Sequence, residues 1–187
     1  IKLYIPEVTE AGLGIVPTSS TITQLSIGDA LAVATLNKKK ISKKDFKKFH
    51  PSGSLGAKLK TVEDLMITKN KIPFINESAS MKNALKVITQ KKLGILISKN
   101  QKGNTTGIIT DGQIRRISQK NRDLHSLKVK NVMTKNPIKV DKEILAIKAL
   151  SIMNSKKITS LCVYSKNNKS KTIGIIHIHN ILENTTN

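Results

Sequence analysis

The sequence predicts an α/β protein in which a short N-terminal part precedes two copies of one strand-and-helix repeat. Apolar residues at helical spacing around Met81 recur around Ala146, and each set leads into a short apolar run. Two units that share such a pattern are expected to bury their faces against each other. Two pairs of matching segments, each 67 residues apart, define the repeat: residues 62–68 with 129–134, and residues 107–110 with 174–177.

Each repeat is predicted to run strand, helix, strand, loop, strand, helix. The apolar runs at residues 95–97 and 161–164 are predicted to be the strands that follow the amphipathic helices. The residues before position 59 do not share the repeat. We therefore divide the chain into an N-terminal part, residues 1–58, a first repeat, residues 59–124, and a second repeat, residues 125–187.

The N-terminal part is predicted to hold one strand and a buried helix. Residues 1–5 alternate around apolar side chains, which predicts a strand, and opening on such a pattern without Met suggests an N-terminally incomplete domain. After a glycine-bearing loop, Thr18, Ser19 and Ser20 are candidate N-caps. Apolar residues then lie on most sides of the helix predicted over residues 22–36, which indicates burial.

Charge alone would suggest a nucleic-acid partner, but the composition weighs against one. The net charge is +21, yet only three of the 33 basic residues are Arg, the residue favoured for base-edge and bidentate phosphate recognition. Aromatic residues make up 3% of the chain, which leaves little for base stacking. The lysines are also spread along the chain. We therefore predict a solvated, lysine-rich surface and no nucleic-acid partner.

The composition also indicates where in the cell the protein is expected to reside. No apolar run approaches the length that crosses a bilayer, so no membrane partner is predicted. The single cysteine, Cys162, cannot form an intramolecular disulfide, which suits a reducing cytoplasm.

The repeats resemble the CBS domain, and the pair resembles a tandem CBS module (Bateman module). The resemblance covers residues 60–187 and is carried by hydrophobic-Met-Thr at the start of a repeat and by Gly-hydrophobic-hydrophobic-Thr-Asp-Gly before its last helix. It implies a regulatory module and a candidate site for a nucleotide or nucleotide sugar. The family pattern ends in an Asp that holds ribose hydroxyls. Here Gln113 and Asn180 stand at that position, so a standard AMP or ATP site is not expected.

The N-terminal motifs carry a second resemblance. Glu10-Ala11-Gly12, then Pro17-Thr18-Ser19-Ser20, then His50-Pro51-Ser52-Gly53 precede the two CBS repeats. This order resembles the arabinose 5-phosphate isomerase family, although Ser52 stands where that family commonly has Gly. The resemblance implies the C-terminal part of a sugar isomerase (SIS) domain, a doubly wound parallel sheet, followed by the tandem CBS pair.

The second resemblance also implies a reaction. Members of that family interconvert D-ribulose 5-phosphate and D-arabinose 5-phosphate by a 1,2 proton shift through a cis-enediol, which supplies Kdo for lipopolysaccharide synthesis. No cofactor and no metal are expected, because enolisation needs only an acid and a base. A homo-oligomer, dimer or tetramer, is implied, and the isolated 187-residue chain is expected to be inactive. The alternative is a ligand-sensing CBS module without isomerase activity.

The resemblance assigns roles to particular residues. Glu10 is the candidate base, with a pKa expected to be raised by partial burial. His50 is the candidate for ring opening or for moving protons between oxygens, and a helix C-terminal cap is the alternative. For Thr18 to Ser20, simple N-capping is an equally open role. The candidate substrate contacts are Pro6, Glu7, Val8, Thr18, Ser19, Ser20, Ser78 and Asn131.

His177 and His179 form a candidate half of a metal site. His177 and His179 are two residues apart, which would place both rings on one face of a strand. No further ligand of suitable spacing is visible in the sequence, so a structural role is predicted.

Overall fold

The computed structural model describes residues 2–50, 53–120 and 123–185. Within it the chain separates into two compact units, Ile1–Phe49 and His50–Asn187. Pro51 and Ser52, which belong to the predicted His50 loop, lie outside the described residues, as does Ile1 of the predicted first strand.

The first unit is helical where it is regular. Its described elements are a single turn α1 (Ala11–Gly14), a long helix α2 (Ser19–Lys38) and a short helix α3 (Lys43–Phe49). The predicted strand over residues 1–5 is wrong for the described residues 2–5, which have no regular structure. A strand is stable only when a neighbour accepts its backbone hydrogen bonds, and no described strand pairs with these residues.

The long helix α2 confirms one prediction and contradicts another. A helix forms where the sequence predicts it, but none of its residues is buried. Ile22 and Leu25 are each 66% exposed, because no other described part of the unit covers this face.

The second unit contains the two repeats. The described helices are α4 (Gly53–Lys58), α5 (Val62–Leu65), α6 (Met81–Lys91), α7 (Asp111–Lys120), α8 (Val129–Val132), α9 (Ala146–Lys156) and α10 (Ile178–Thr185). The strands are β1 (Ile67–Thr68), β2 (Phe74–Asn76), β3 (Ile95–Lys99), β4 (Thr105–Thr110), β5 (Thr134–Lys135), β6 (Lys139–Asp141), β7 (Ser160–Tyr164) and β8 (Gly174–His177). The predicted order of elements in each repeat is confirmed. None of the helices in the described part of the chain combines the length and apolar character that a membrane crossing requires.

Two four-stranded sheets form, and each contains one strand from the other repeat. The strand orders are β1-β8-β7-β6 and β2-β3-β4-β5. Strand β1 begins the first repeat but pairs antiparallel with β8 of the second, and β5 begins the second repeat but pairs with β4 of the first. The two repeats therefore exchange their leading segments, residues 60–68 and 127–135.

The exchanged segments also complete the two hydrophobic cores. Val62 is fully buried among Val140, Met153 and Leu161 of the second repeat. Val129 is fully buried in the cluster of the first repeat that contains Met81. Because each leading segment supplies core residues to the other repeat, neither core is complete within its own stretch of sequence.

A third hydrophobic cluster joins the repeats face to face. It is made of buried residues from both: Ile72, Ile95, Ile97, Cys162 and Ile175. At one end of this interface the hydroxyl groups of Thr105 and Thr172, which occupy equivalent positions, lie 2.7 Å apart. The predicted burial of one repeat against the other is confirmed.

Two glycines let the exchanged segments approach closely. A Cβ atom on Gly107 would lie 2.7 Å from Sδ of Met133, and one on Gly174 would lie 2.6 Å from Sδ of Met66. These positions are equivalent in the two repeats, so the same Gly–Met contact is made twice.

Candidate functional site

Glu10 is held by the N-terminus of α2. Its carboxylate accepts hydrogen bonds from the backbone N–H of Thr18 at 2.6 Å and of Ser20 at 3.0 Å, and from the Thr18 hydroxyl at 3.1 Å. Free N–H groups at a helix start favour an anion there, and in this chain Glu10 supplies it.

Hydrogen bonds from Thr18 and Ser20 lower the pKa of Glu10. The Ser20 side chain, followed by the Thr18 backbone N–H, lowers the pKa of Glu10 from 4.5 to about 2. The sequence-based expectation of a raised pKa is therefore wrong. Burial does act in the raising direction, but the side chain is only half-buried and the hydrogen bonds outweigh it.

The other candidate contacts of the first unit lie around Glu10. Ser19 donates its hydroxyl hydrogen bond to the carbonyl of Thr9 at 2.7 Å, which fixes the chain on the other side of the carboxylate. Pro6, Glu7 and Val8 are exposed and lie in the irregular segment that leads to Glu10. Glu10 and Thr18 to Ser20 are thus brought together, although they are 8 to 10 residues apart in sequence.

His50 is the first residue of the second unit. It is exposed, and it lies directly after α3 and before the two residues of its loop that are outside the described part. Its role stays a prediction.

Ser78 and Asn131 occupy different surroundings. The backbone N–H and hydroxyl of Ser78 both donate to Oδ1 of Asn76, at 2.9 and 2.6 Å, in a turn before α6. Asn131 is exposed and lines a broad open groove at the surface of the CBS-like pair. We name this the lysine groove after four of its lining residues: Lys130, Lys135, Lys139 and Lys169.

A separate cleft lies between the two repeats. It encloses about 530 Å³, within the range of small-molecule sites. One wall is the start of α7, with Thr110, Asp111 and Arg116, and the other is the turn before β7, with Lys157 and Thr159. Hydroxyl groups, a carboxylate and two cationic side chains therefore meet at an apolar floor that includes Ile95 and Cys162.

At the position where the CBS pattern has an Asp that holds the ribose, both repeats have an amide side chain. Each of these amides already makes hydrogen bonds within the protein. The Gln113 side chain donates to the carbonyl of Val132 and accepts from the Thr134 hydroxyl, the latter at 3.1 Å. Oδ1 of Asn180 accepts from the backbone N–H of His177 at 3.3 Å. Neither side chain supplies a carboxylate, as the sequence indicates.

The two histidines do not share a strand face. His177 ends β8, whereas His179 lies in α10, and their ring centroids are 5.0 Å apart. Burial, and secondarily the charge of His179, lowers the pKa of His177. Within residues 2–50, 53–120 and 123–185 no group of three or more metal-ligating side chains comes together.

Three features of these sites were not predicted from the sequence: Arg116, Lys157 and the lysine groove. Arg116 could have been found, because it lies one helical turn after Gly112 on α7 and so points to the same side as the start of that helix. Lys157 has a left-handed backbone conformation at the end of α9, which the sequence does not predict. The groove lysines are up to 39 positions apart, so no local pattern links them.

Comparison with known proteins identifies CBS domains in this chain. Residues 62–120 and 129–186 match the CBS domain family. Over 171 residues, 91% of its length, the chain is 40% identical to arabinose 5-phosphate isomerase KdsD of Yersinia pestis, and it has the same identity to the protein of that name from Escherichia coli K12. The chain spans about half, 51%, of the length of these relatives.

Solved structures share the fold of the paired repeats. CBSX2 in complex with AMP is 22% identical, with a TM-score of 0.58 over 66% of this chain and 93% of CBSX2. The CBS domain of a bacterial CNNM/CorC family Mg²⁺ transporter in complex with ATP is 14% identical, with a TM-score of 0.59 over 71% of this chain and 91% of that one. The resemblances predicted from the sequence, to CBS domains and to arabinose 5-phosphate isomerases, are confirmed.

Proposed function

The chain belongs to the CBS domain family, and from that premise we propose that it is part of an aldose–ketose isomerase acting on D-ribulose 5-phosphate and D-arabinose 5-phosphate. The observation that carries the proposal is the 40% identity over 91% of the chain to arabinose 5-phosphate isomerase KdsD. That identity extends beyond the CBS repeats, which match residues 62–120 and 129–186, into the N-terminal part of the chain. We propose that this segment is the C-terminal part of a SIS domain.

In this proposal Glu10 moves a proton between C1 and C2 of the sugar. Its carboxylate is ionised at neutral pH, because its pKa is about 2, so it is ready to accept a proton. The same hydrogen bonds make it a weak base. A bound sugar phosphate that excludes water, or that takes over the N–H groups of Thr18 and Ser20, would raise its basicity toward that required.

The remaining roles follow from chemical type. The imidazole of His50 opens the sugar ring or carries protons between O1 and O2, since imidazole can both donate and accept a proton. Pro6, Glu7 and Val8 offer backbone contacts to the sugar, and Thr18, Ser19 and Ser20 offer hydroxyl groups to the substrate. The proposed reaction needs no cofactor, takes place in the cytoplasm as part of Kdo and lipopolysaccharide synthesis, and is carried out by a homo-oligomer.

The test is the activity of the full-length protein on D-ribulose 5-phosphate. We expect arabinose 5-phosphate to form, and Glu10→Gln and His50→Ala each to lower kcat/KM by about 10²- to 10⁴-fold, as loss of an acid–base group does. Glu183→Gln and His125→Ala are the matched controls, because both are exposed side chains far in sequence from the proposed site.

Two outcomes would contradict the proposal. One is the absence of turnover by a well-folded wild-type protein. The other is an equal loss of activity in the matched controls, because it would mean that the substitutions act through folding.

The second candidate function is a ligand-sensing CBS module without isomerase activity. It is favoured by the cleft of about 530 Å³, lined by Arg116 and Lys157, and by the complexes of similar folds with AMP and ATP. Saturable binding of a nucleotide or nucleotide sugar, weakened by Arg116→Gln, together with no isomerase activity would support it. Isomerase activity would exclude it.

A further inference from the structure

The lysine groove is a second candidate site, and it is built from both repeats. Lys130 lies on α8, Lys135 ends β5, Lys139 begins β6, and Lys169 lies between β7 and β8. The first repeat supplies the opposite wall, which includes residues 100 and 104–106. The groove encloses about 840 Å³ and is open to solvent. A ligand in it would therefore touch both halves of the module.

The positive charge of the groove is only partly compensated by the described residues that line it. Glu77 is the one carboxylate among its described lining residues. In the described part of the chain none of the four lysines pairs with a carboxylate, whereas Lys142 pairs with Glu63 elsewhere. Lys139 alone makes a side-chain hydrogen bond, to the carbonyl of Lys169 at 3.4 Å. Ammonium groups that line one groove repel one another, and a bound anion would reduce that repulsion.

The rest of the lining suits phosphate rather than an apolar or aromatic ligand. Among the described residues no aromatic side chain lines the groove, so a base would find no stacking partner. Hydroxyl and amide groups surround the lysines and can donate to phosphate oxygens. These polar residues are Asn100, Asn104, Thr105, Thr106, Asn131, Asn136 and Ser170.

We propose that the lysine groove binds a ligand that carries two or more linked phosphate groups. The inference goes beyond the isomerase function, since it concerns neither Glu10 nor His50. The site also differs from the cleft between the repeats, with which it shares Asn136 among the described lining residues. The linked phosphates could belong to inorganic polyphosphate or to the tail of a nucleotide.

The test is calorimetric titration of inorganic tripolyphosphate into the full-length protein. The groove variant is Lys130→Gln with Lys135→Gln, because both side chains are exposed and neither serves the fold. The control variant is Lys148→Gln with Lys156→Gln, two exposed lysines of α9 that lie outside the groove. Both variants lose the same two charges, so a general effect of net charge is matched.

We expect binding that weakens by about tenfold or more in the groove variant and is unchanged in the control. Parallel titrations with ATP identify the source of the phosphates. Equal affinity for tripolyphosphate and ATP, both weakened in the groove variant, would show that linked phosphates suffice.

Three results would overturn the proposal: no binding of tripolyphosphate at low salt, equal weakening in both variants, or binding of ATP alone. The titration is independent of the isomerase assay, so failure of either proposal is seen separately. An inactive protein can still bind tripolyphosphate, and an active one can fail to bind it.

Discussion

At the scale of single residues, the carboxylate of Glu10 and the backbone N–H groups at the start of α2 are hydrogen-bond partners of each other. The N–H groups of Thr18 and Ser20 would lack partners at the start of α2, and Glu10 would be an exposed loop charge. Their pairing fixes the carboxylate oxygens relative to the helix axis. It also means that any other anion at this helix start must compete with Glu10.

The first prediction concerns the protonation of Glu10. We expect an NMR titration of its carboxyl carbon to give a midpoint near 2, rather than 4.5. Because the pKa is lowered in the folded protein, this group stabilises the fold above about pH 4.5, and that contribution is lost as the pH falls toward 2. Ser20→Ala should raise the midpoint more than Thr18→Val, because the Ser20 side chain is the largest cause and the Thr18 side chain the smallest. A wild-type midpoint near 4.5 would contradict the hydrogen-bonded arrangement.

The second prediction concerns the Gly–Met contacts. We expect Gly107→Ala to lower the free energy of unfolding by about 1–3 kcal/mol, because its Cβ would meet the Thr134 carbonyl oxygen at 2.8 Å as well as Met133. Gly174→Ala should cost less, because the nearest backbone oxygen, that of Ile67, is 3.1 Å away.

The measurement is urea unfolding followed by circular dichroism, with Gly112→Ala as the control. A Cβ on Gly112 would meet its nearest atom at 3.8 Å, so this helical substitution should be neutral or slightly stabilising. A larger loss for Gly112→Ala than for Gly107→Ala would contradict the argument from close approach.

At the scale of elements, the order of strands and helices within each repeat could be predicted from the sequence. The pairing of strands between the repeats could not. The order of strands and helices follows from local periodicity, as in α6 and β3. Strand β1 has two residues, and nothing in so short a segment says which sheet it joins. The predicted strand, in its described residues 2–5, and the predicted burial of α2 both failed for a common reason, since each depends on neighbours that are not found among the described residues.

The candidate site shows the same limit. Motif order points to Glu10 and His50, but the acidity of Glu10 depends on hydrogen bonds from residues 8 to 10 positions away. The lysine groove depends on tertiary packing, so the sequence contains no local signal for it, and for the cleft only the helical spacing of Arg116 and Gly112 is a local signal.

The third prediction tests the exchange of leading segments. We expect Val62→Ala to destabilise by about 2 kcal/mol, through lost apolar burial and a cavity. Val62 packs in the core of the second repeat, so amide hydrogen exchange should accelerate more in α9 and β7 than in α6 and β3. Val129→Ala is the matched partner and should show the opposite pattern, because it packs against Met81. Acceleration confined to the repeat that contains the substituted residue in sequence would contradict the exchange.

At the scale of the whole molecule, charge is the dominant surface property. The chain carries 33 basic and 12 acidic residues, a net charge of +21, and the salt bridges between described residues include Lys48–Asp45, Lys142–Glu63 and Lys166–Glu143. Most lysines therefore repel other lysines more than they are attracted to carboxylates. Such self-repulsion destabilises a compact state.

The fourth prediction follows from this balance. We expect the melting temperature to rise when NaCl is increased to about 0.1 M, where the Debye length is about 10 Å, because screening weakens repulsion between exposed charges. Differential scanning calorimetry measures the change, with an uncharged osmolyte at equal osmolality as the control. A falling melting temperature would mean that ion pairs outweigh repulsion in this protein.

The exchanged leading segments have a consequence for how the paired fold can arise. A single repeat cannot fill its own core, because Val62 and Val129 each complete the core of the other copy. Two separate copies of one ancestral repeat could fill each other's cores by the same exchange, as a domain-swapped dimer does. Gene duplication and fusion would then convert a contact between molecules into one within a single chain. On this view the pair is the smallest unit that can be inherited, moved between proteins or lost as a whole.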